Sequence, residues 1–222
     1  MPIPKTIYQT FKSSKLPLLT RWHIYWMKKK NPEYDYQFYD DTRIEAFIKE
    51  EFDEETFKLY SKLNIGAAKA DFFRYAILYI KGGIYLDIDS KINISLDSFI
   101  LDSDSAIITL ESNLIFYVQW ALIYEAGHPF LKQTLENIKD NIRNNKFPHD
   151  IHGMTGPTVY TKSIKECFLL DKTIKYRELG VDYNNYFKFS YPLSKLFLYG
   201  INRNNHWKKE AGVKPVLKLD TL

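Results

Sequence analysis

The stretch KADFFRYAILYIKGGIYLDIDS, residues 69–90, constrains this chain more than any other part of it. Apolar residues recur at helical spacing from about 65 to 80, and Gly82-Gly83 then stops the helix and feeds directly into an apolar, β-prone run. If residues 84–89 are extended, Tyr85, Asp87 and Asp89 face one way and Ile84, Leu86 and Ile88 the other. Two carboxylates ~5 Å apart at an effective dielectric of ~20 repel by roughly 3 kcal/mol, so this pattern demands a positive partner. A basic side chain or a divalent cation would serve, and carboxylate oxygens suit magnesium, manganese or calcium better than zinc. Asp71 and Arg74, spaced i, i+3, share one face of the preceding helix.

The rest of the chain supplies a frame for this block. The opening IPKTIYQT reads as a buried strand. Residues 18–30, after Pro17, read as an amphipathic helix ending in three lysines. Residues 34–39 read as a second strand, Asp40 and Asp41 as the cap of a short helix, and 52–63 as another helix. A strand over 106–110 is followed by a helical region through Glu125, a helix after Pro129, a loop HDIHGMTGP and a helix over 159–169. The last forty residues are loop-rich with short strands. Alternating strands and helices without repeats or linkers predict a single α/β domain over 1–222, with a mainly parallel central sheet flanked by helices. Ligands of such sheets sit at the carboxyl ends of strands, where Asp87 and Asp89 fall.

Composition narrows the class. Hydrophobic content of 45% with 26% charged residues excludes a disordered chain, and 17 Tyr with 15 Phe provide stacking surfaces besides core. A lone cysteine, Cys167, excludes an internal disulfide framework and fits a reducing compartment. MPIPKTIYQTFKSS lacks the apolar core of a secretory leader, and no apolar run is long enough to span a membrane, so the expected location is cytoplasmic. Residues 1–32 hold seven Lys or Arg and no acid, whereas 33–60 hold ten acids against three bases. In the segment 21–30, a solvated helix face backed by core tryptophans is the preferred reading, with peripheral contact to an anionic membrane as its alternative. Nucleic-acid binding is not expected from this flank. His149 and His152 beside Asp150 are too few ligands for zinc.

Taken together, D-x-x-R, the Gly-Gly stop and Y-x-D-x-D resemble the core of glycosyltransferase family 32, the sugar transferases with a DXD motif. The resemblance covers nearly the whole chain and is strongest over 3–11 and 67–90. IPKTIYQTF is similar to the family's opening strand, NPEYDYQFYDD to its second strand and acidic turn, AGHPFL to a later element, and MTGP to a motif on the acceptor side.

The resemblance implies a GT-A type nucleotide-diphospho-sugar transferase fold, a UDP- or GDP-sugar donor, and Mn2+ or Mg2+ as cofactor. By it, Asp89 would ligate a metal bridging the diphosphate, and Asp87 would contact the ribose or sugar and the metal shell. Asp71 and Arg74 would hold the transferred sugar and nucleotide. Phe11 would stack on the base, the backbone near Thr10 would read its edge, and Tyr85 would line the ribose pocket. The C-terminal INRNNHWKKE departs from the family's usual His followed by Ser-Trp. Trp207 matches the tryptophan that donates to the leaving phosphate, while either His206 or an asparagine such as Asn202 completes the metal shell. The implied reaction is a retaining hexosyl transfer to a glycan, lipid-linked or protein acceptor in surface polysaccharide synthesis, with Asp87, Asp89, Arg74 and Trp207 acting where charge develops.

Two alternatives stand beside it. Phosphatases of the haloacid dehalogenase type also carry an aspartate pair after an apolar strand, but on the first strand rather than mid-chain. A non-catalytic glycan-binding relative would fit the altered C-terminal motif, though not the intact Asp71, Arg74, Asp87 and Asp89.

Overall fold

The computed structural model describes residues 2–199 and 214–218. Among these, eight strands form: β1 (Thr6–Thr10), β2 (Asp35–Tyr39), β3 (Gly83–Leu86), β4 (Lys91–Ile92), β5 (Ala106–Ile108), β6 (Ala121–Tyr124), β7 (Arg177–Glu178) and β8 (Phe187–Lys188). The helices are α1 (Leu18–Lys30), α2 (Asp41–Glu51), α3 (Glu54–Lys62), α4 (Gly66–Lys81), α5 (Pro129–Arg143), α6 (Ile151–Met154), α7 (Pro157–Leu170) and α8 (Ser194–Tyr199).

Six strands make the central sheet in the order β2-β1-β3-β6-β5-β7. β1 pairs in parallel with β2 and β3, β6 is antiparallel to β3 and β5, and β7 is parallel to β5. β6 therefore runs against five strands that share one direction, which makes the sheet mixed but mostly parallel. β4 and β8 pair separately as a short antiparallel ribbon.

Alternation along the strands divides the core. Tyr8, Tyr85, Leu122 and Tyr124 point into a cluster with α2 to α5 and α7, while Ile7, Ile84, Ile107 and Ile123 point into a second cluster with Ile24 and Met27 of α1. α4 is apolar nearly all round, and Phe72, Phe73, Tyr75, Ala76, Ile77 and Leu78 are fully buried between the sheet, α2 and α5. Its end is fixed sterically. Gly82 and Gly83 have φ of 65° and 107°, and a Cβ would sit 2.7 Å from the Ala126 nitrogen and 2.7 Å from the Thr6 carbonyl oxygen respectively. Only glycine lets the chain leave α4 and enter the sheet beside β1 without displacing it.

Three expectations change. The helical region ending at Glu125 is β6 and the loop before it, because Ala121, Leu122, Ile123 and Tyr124 are buried on both faces and such a short apolar run carries no helical or strand period. Within HDIHGMTGP, residues 151–154 form the one-turn helix α6. The tryptophans of α1 are not core residues: Thr20, Ile24 and Met27 supply its buried stripe, leaving Trp22 58% and Trp26 53% exposed. Asp40 caps α2, accepting from the Arg43 N–H at 3.0 Å, as its position before the helix predicts.

Candidate active site

β3 ends at Leu86, and residues 87–90 form a tight turn closed by the Ser90 N–H donating to the Asp87 carbonyl at 2.9 Å. Asp87 and Asp89 thus share a turn rather than one pleated face, and the period-two argument stops at Asp87. Both still line one cleft. The turn is held through its backbone: Asp87 N–H donates to the Trp120 carbonyl at 2.8 Å, Gln9 Nε2 donates to the Asp87 carbonyl at 3.1 Å, and Tyr191 N–H donates to the Asp89 carbonyl at 2.9 Å. Ser90 lies against α1, its carbonyl 3.2 Å from His23 Nε2. Main-chain groups being fixed, the carboxylates are aimed by rigid elements.

The positive partner demanded by the sequence is Arg74, and it is buried. Its Nη2 lies 3.0 Å from Asp87 Oδ1 and 3.3 Å from Asp71 Oδ1, its Nη1 donates to the Gln119 carbonyl at 3.1 Å, and its guanidinium sits 5.0 Å over the Tyr85 ring. Tyr85 Oη donates to Asp87 Oδ1 at 3.1 Å, and Thr155 Oγ1 donates to Asp71 Oδ2 at 3.0 Å. Burial pushes the Asp71 carboxyl up to about 6, with Arg74 and Thr155 pulling back toward ionisation. Asp87 is raised for the same first reason, opposed by Arg74 and Tyr85. Burial works against the Arg74 charge, yet Asp87, Tyr85 and Asp71 hold its pKa above the ordinary range. Arg74 Nε is buried with no hydrogen-bond partner among the described residues.

The cleft measures about 700 Å³, within the range of small-molecule sites. Thr10, Phe11, Asp71, Arg74, Tyr85, Asp87 and Asp89 all line it, so residues named from the sequence across 80 positions converge. The parallel register of β1 with β3, Tyr8 opposite Tyr85, is what brings Thr10 and Phe11 beside Asp87. The Thr10 hydroxyl is committed to the Tyr39 carbonyl at 2.8 Å, leaving its backbone for other contacts. Asn202, His206 and Trp207 lie outside the described residues.

Several lining residues escaped the sequence reading, Lys12, Gln119, Trp120 and Phe189, while His152, considered there only as a zinc ligand, also lines the cleft. Gln119 accepts from Tyr75 Oη at 2.5 Å, which fixes the loop that receives Arg74. Thr155, flagged only as part of MTGP, reaches Asp71 from 84 positions away. Among the described residues no group of three or more His, Cys, Asp or Glu is arranged to hold a metal by itself. Two carboxylates on one turn are nevertheless a donor set that holds Mg2+ or Mn2+ together with phosphate oxygens, and Asp71, Asp87 and Asp89 outnumber the one guanidinium among them.

A cleft of this kind at the carboxyl ends of β1 and β3, in this sheet, belongs to a fold of the GT-A type. Solved structures agree on the fold: the glycosyltransferase PaToxG superposes with a TM-score of 0.64 at 20% identity, over 78% of this chain and 73% of that one. The ligand-free glycosyltransferase domain from the YGT toxin gives 0.59 at 9% identity, over 81% and 80%.

Residues 23–106 match the family described as glycosyltransferase sugar-binding region containing DXD motif. Homologues of the chain include the initiation-specific alpha-1,6-mannosyltransferase of Candida albicans, 25% identical over 74% of this chain and 53% of that protein. An uncharacterized glycosyltransferase of Acanthamoeba polyphaga mimivirus is 33% identical over 62% of this chain and 54% of its own length. Inositol phosphoceramide mannosyltransferase 3 of Schizosaccharomyces pombe is 31% identical over 70% and 43%. The chain thus spans about half the length of these curated relatives. The sheet and these homologies leave no place for the phosphatase alternative, whose motif belongs on a first strand.

Proposed function

We propose that this protein transfers a hexose, mannose in the first instance, from a nucleoside diphosphate sugar to a glycan or glycolipid acceptor, with Mn2+ or Mg2+ and with retention of anomeric configuration. The observation that carries the reading is the 87–90 turn, which places two carboxylates in a cleft beside the buried Arg74. Mannosyl transfer and glycolipid acceptors are supported by the names of the Candida and Schizosaccharomyces homologues, and a nucleotide donor by the solved UDP-bound form of the YGT toxin domain.

Asp89 and Asp87 would hold the cation, with His206 or Asn202 as a further ligand, and when bound it would supply Lewis-acid charge to the leaving diphosphate. Arg74 presents fixed positive charge beside Asp87, and the Trp207 indole N–H donates to the same leaving group. Asp71, oriented by Thr155 and Arg74, accepts from hydroxyls of the transferred sugar, while Phe11 stacks on the base and the Thr10 backbone reads its edge. Asp71 and Asp87 are each tied to Arg74 and a hydroxyl donor, which makes them poor nucleophiles. The acceptor hydroxyl therefore attacks from the face that the diphosphate leaves, the sugar–phosphate bond breaking as its proton passes to the departing phosphate oxygen.

Turnover tests this directly. With Mn2+ and a panel of GDP- and UDP-sugars, mannosylated product and free nucleoside diphosphate should form from one donor, and Asp89→Asn should lower the rate by about a hundredfold or more. Consumption of no sugar nucleotide with any glycan or glycolipid acceptor would favour the glycan-binding relative instead.

A further inference from the structure

One face of the described structure is apolar and basic at once and takes no part in the cleft. On α1, at 100° per residue, Leu18, Trp22, Tyr25, Trp26 and Lys29 fall within one arc of about 100°, opposite the buried Thr20, Ile24 and Met27. Arg21 and Lys28 border that arc on one side and Lys30 on the other. Leu18 is 79% exposed, and Trp22, Tyr25 and Trp26 are each more than half exposed. The two indoles meet edge-on at 6.0 Å, and Tyr25 meets Trp26 at 5.6 Å, so the rings form one cluster. α8 packs on α1, and Leu193, Leu196 and Phe197 add exposed apolar surface from that segment. Acids are absent from the first 32 residues, which carry seven bases.

We propose that this face docks the protein on an anionic lipid bilayer, with Trp22, Tyr25 and Trp26 in the headgroup layer and Arg21, Lys28 and Lys29 against lipid phosphates. Amphipathic rings at the centre and long cations at the borders are the arrangement that an interfacial helix needs, because rings and alkyl stems bury while charges reach the headgroups. A second copy is a poor occupant: an isologous pair would bring together two faces that each carry Arg21, Lys28 and Lys29 and no acid of α1 to offset them.

The helix that carries this face also packs behind the catalytic turn. His23 of α1 touches the Ser90 carbonyl and stacks on Tyr191 at 4.1 Å, and Ser90 Oγ donates to the carbonyl of Phe189, which lines the cleft. The docking itself does not depend on the proposed function.

Cosedimentation of the full chain with vesicles of phosphatidylcholine alone, or with one part in three of phosphatidylglycerol, tests the docking without donor or acceptor. Anionic vesicles should bind about tenfold or more tightly than neutral ones, and binding should weaken with salt. Trp22→Ser/Trp26→Ser and, separately, Lys28→Glu/Lys29→Glu should each weaken it about tenfold while leaving the melting temperature and sugar-nucleotide binding unchanged. Absence of binding to anionic vesicles, binding that survives both double substitutions, or a soluble dimer abolished by the tryptophan pair would overturn the proposal. Loss of sugar-nucleotide turnover with vesicle binding intact would instead count against the enzymatic reading alone.

Discussion

Arg74 Nη2 lies 3.0 Å from Asp87 Oδ1, joining the middle of α4 to the end of β3 by a buried ion pair. The aspartate pattern that looks electrostatically costly in the sequence is thereby compensated before any ligand arrives. Asp71, on the same helix face, completes a carboxylate–guanidinium–carboxylate arrangement.

Arg74→Met should destabilise the protein by about 3–5 kcal/mol, the usual cost of stranding a buried charge, since Asp71 and Asp87 would lose their common partner. Urea denaturation of the two proteins measures it. Arg74→Lys should recover only part of the loss, because a point ammonium cannot meet Asp71, Asp87 and the Gln119 carbonyl at once.

The raised pKa of Asp71 sets a pH dependence. Its carboxyl moves from the ordinary value of 3.8 to about 6, so between these pH values the folded protein binds a proton that the unfolded chain releases. The contribution of Asp71 is therefore most favourable below pH 4 and is lost as pH rises to about 6. Denaturation across pH 4 to 7 should show that Asp71→Asn, which keeps Thr155 and Arg74 as neighbours, gains relative to the parent as pH increases. A difference independent of pH would contradict this.

Thr155→Val should remove the hydroxyl that donates to Asp71 Oδ2, costing about 1–2 kcal/mol and pushing the Asp71 carboxyl further up. The pH at which the difference between proteins with and without Asp71→Asn levels off should be higher in a Thr155→Val background.

Gly83→Ala should destabilise by about 2 kcal/mol or more, because φ is 107° and the new Cβ would lie 2.7 Å from the Thr6 carbonyl oxygen. Thermal unfolding reports it, and donor affinity should fall in parallel since Gly83 seats β3 against β1 and β3 leads into the 87–90 turn.

The site was legible where sequence neighbours carry it. Asp71, Arg74, Asp87 and Asp89 fall within one helix–turn–strand unit whose periodicity and glycine stop can be read directly. Thr10 and Phe11 followed only from the resemblance of the opening strand to that of the family. Gln119, Trp120 and Phe189 were not legible, because they reach the cleft through pairing of β3 with β6 and through the chain after β8, and nothing local marks them. β6 itself was misread since four fully buried residues carry no amphipathic signal. The α1 tryptophans were misplaced for a different reason: the helical spacing was right, but Ile24 and Met27 on the opposite stripe are what the core accepts.

Calorimetric titration of a sugar nucleotide into the parent and Asp89→Ala proteins, with and without Mn2+, tests the central claim most directly. Binding should require the metal and be lost in Asp89→Ala, while Asp89→Ala keeps the parent's fold because the turn is held by its backbone. Binding indifferent to both Mn2+ and Asp89, or no binding of any sugar nucleotide, would contradict it.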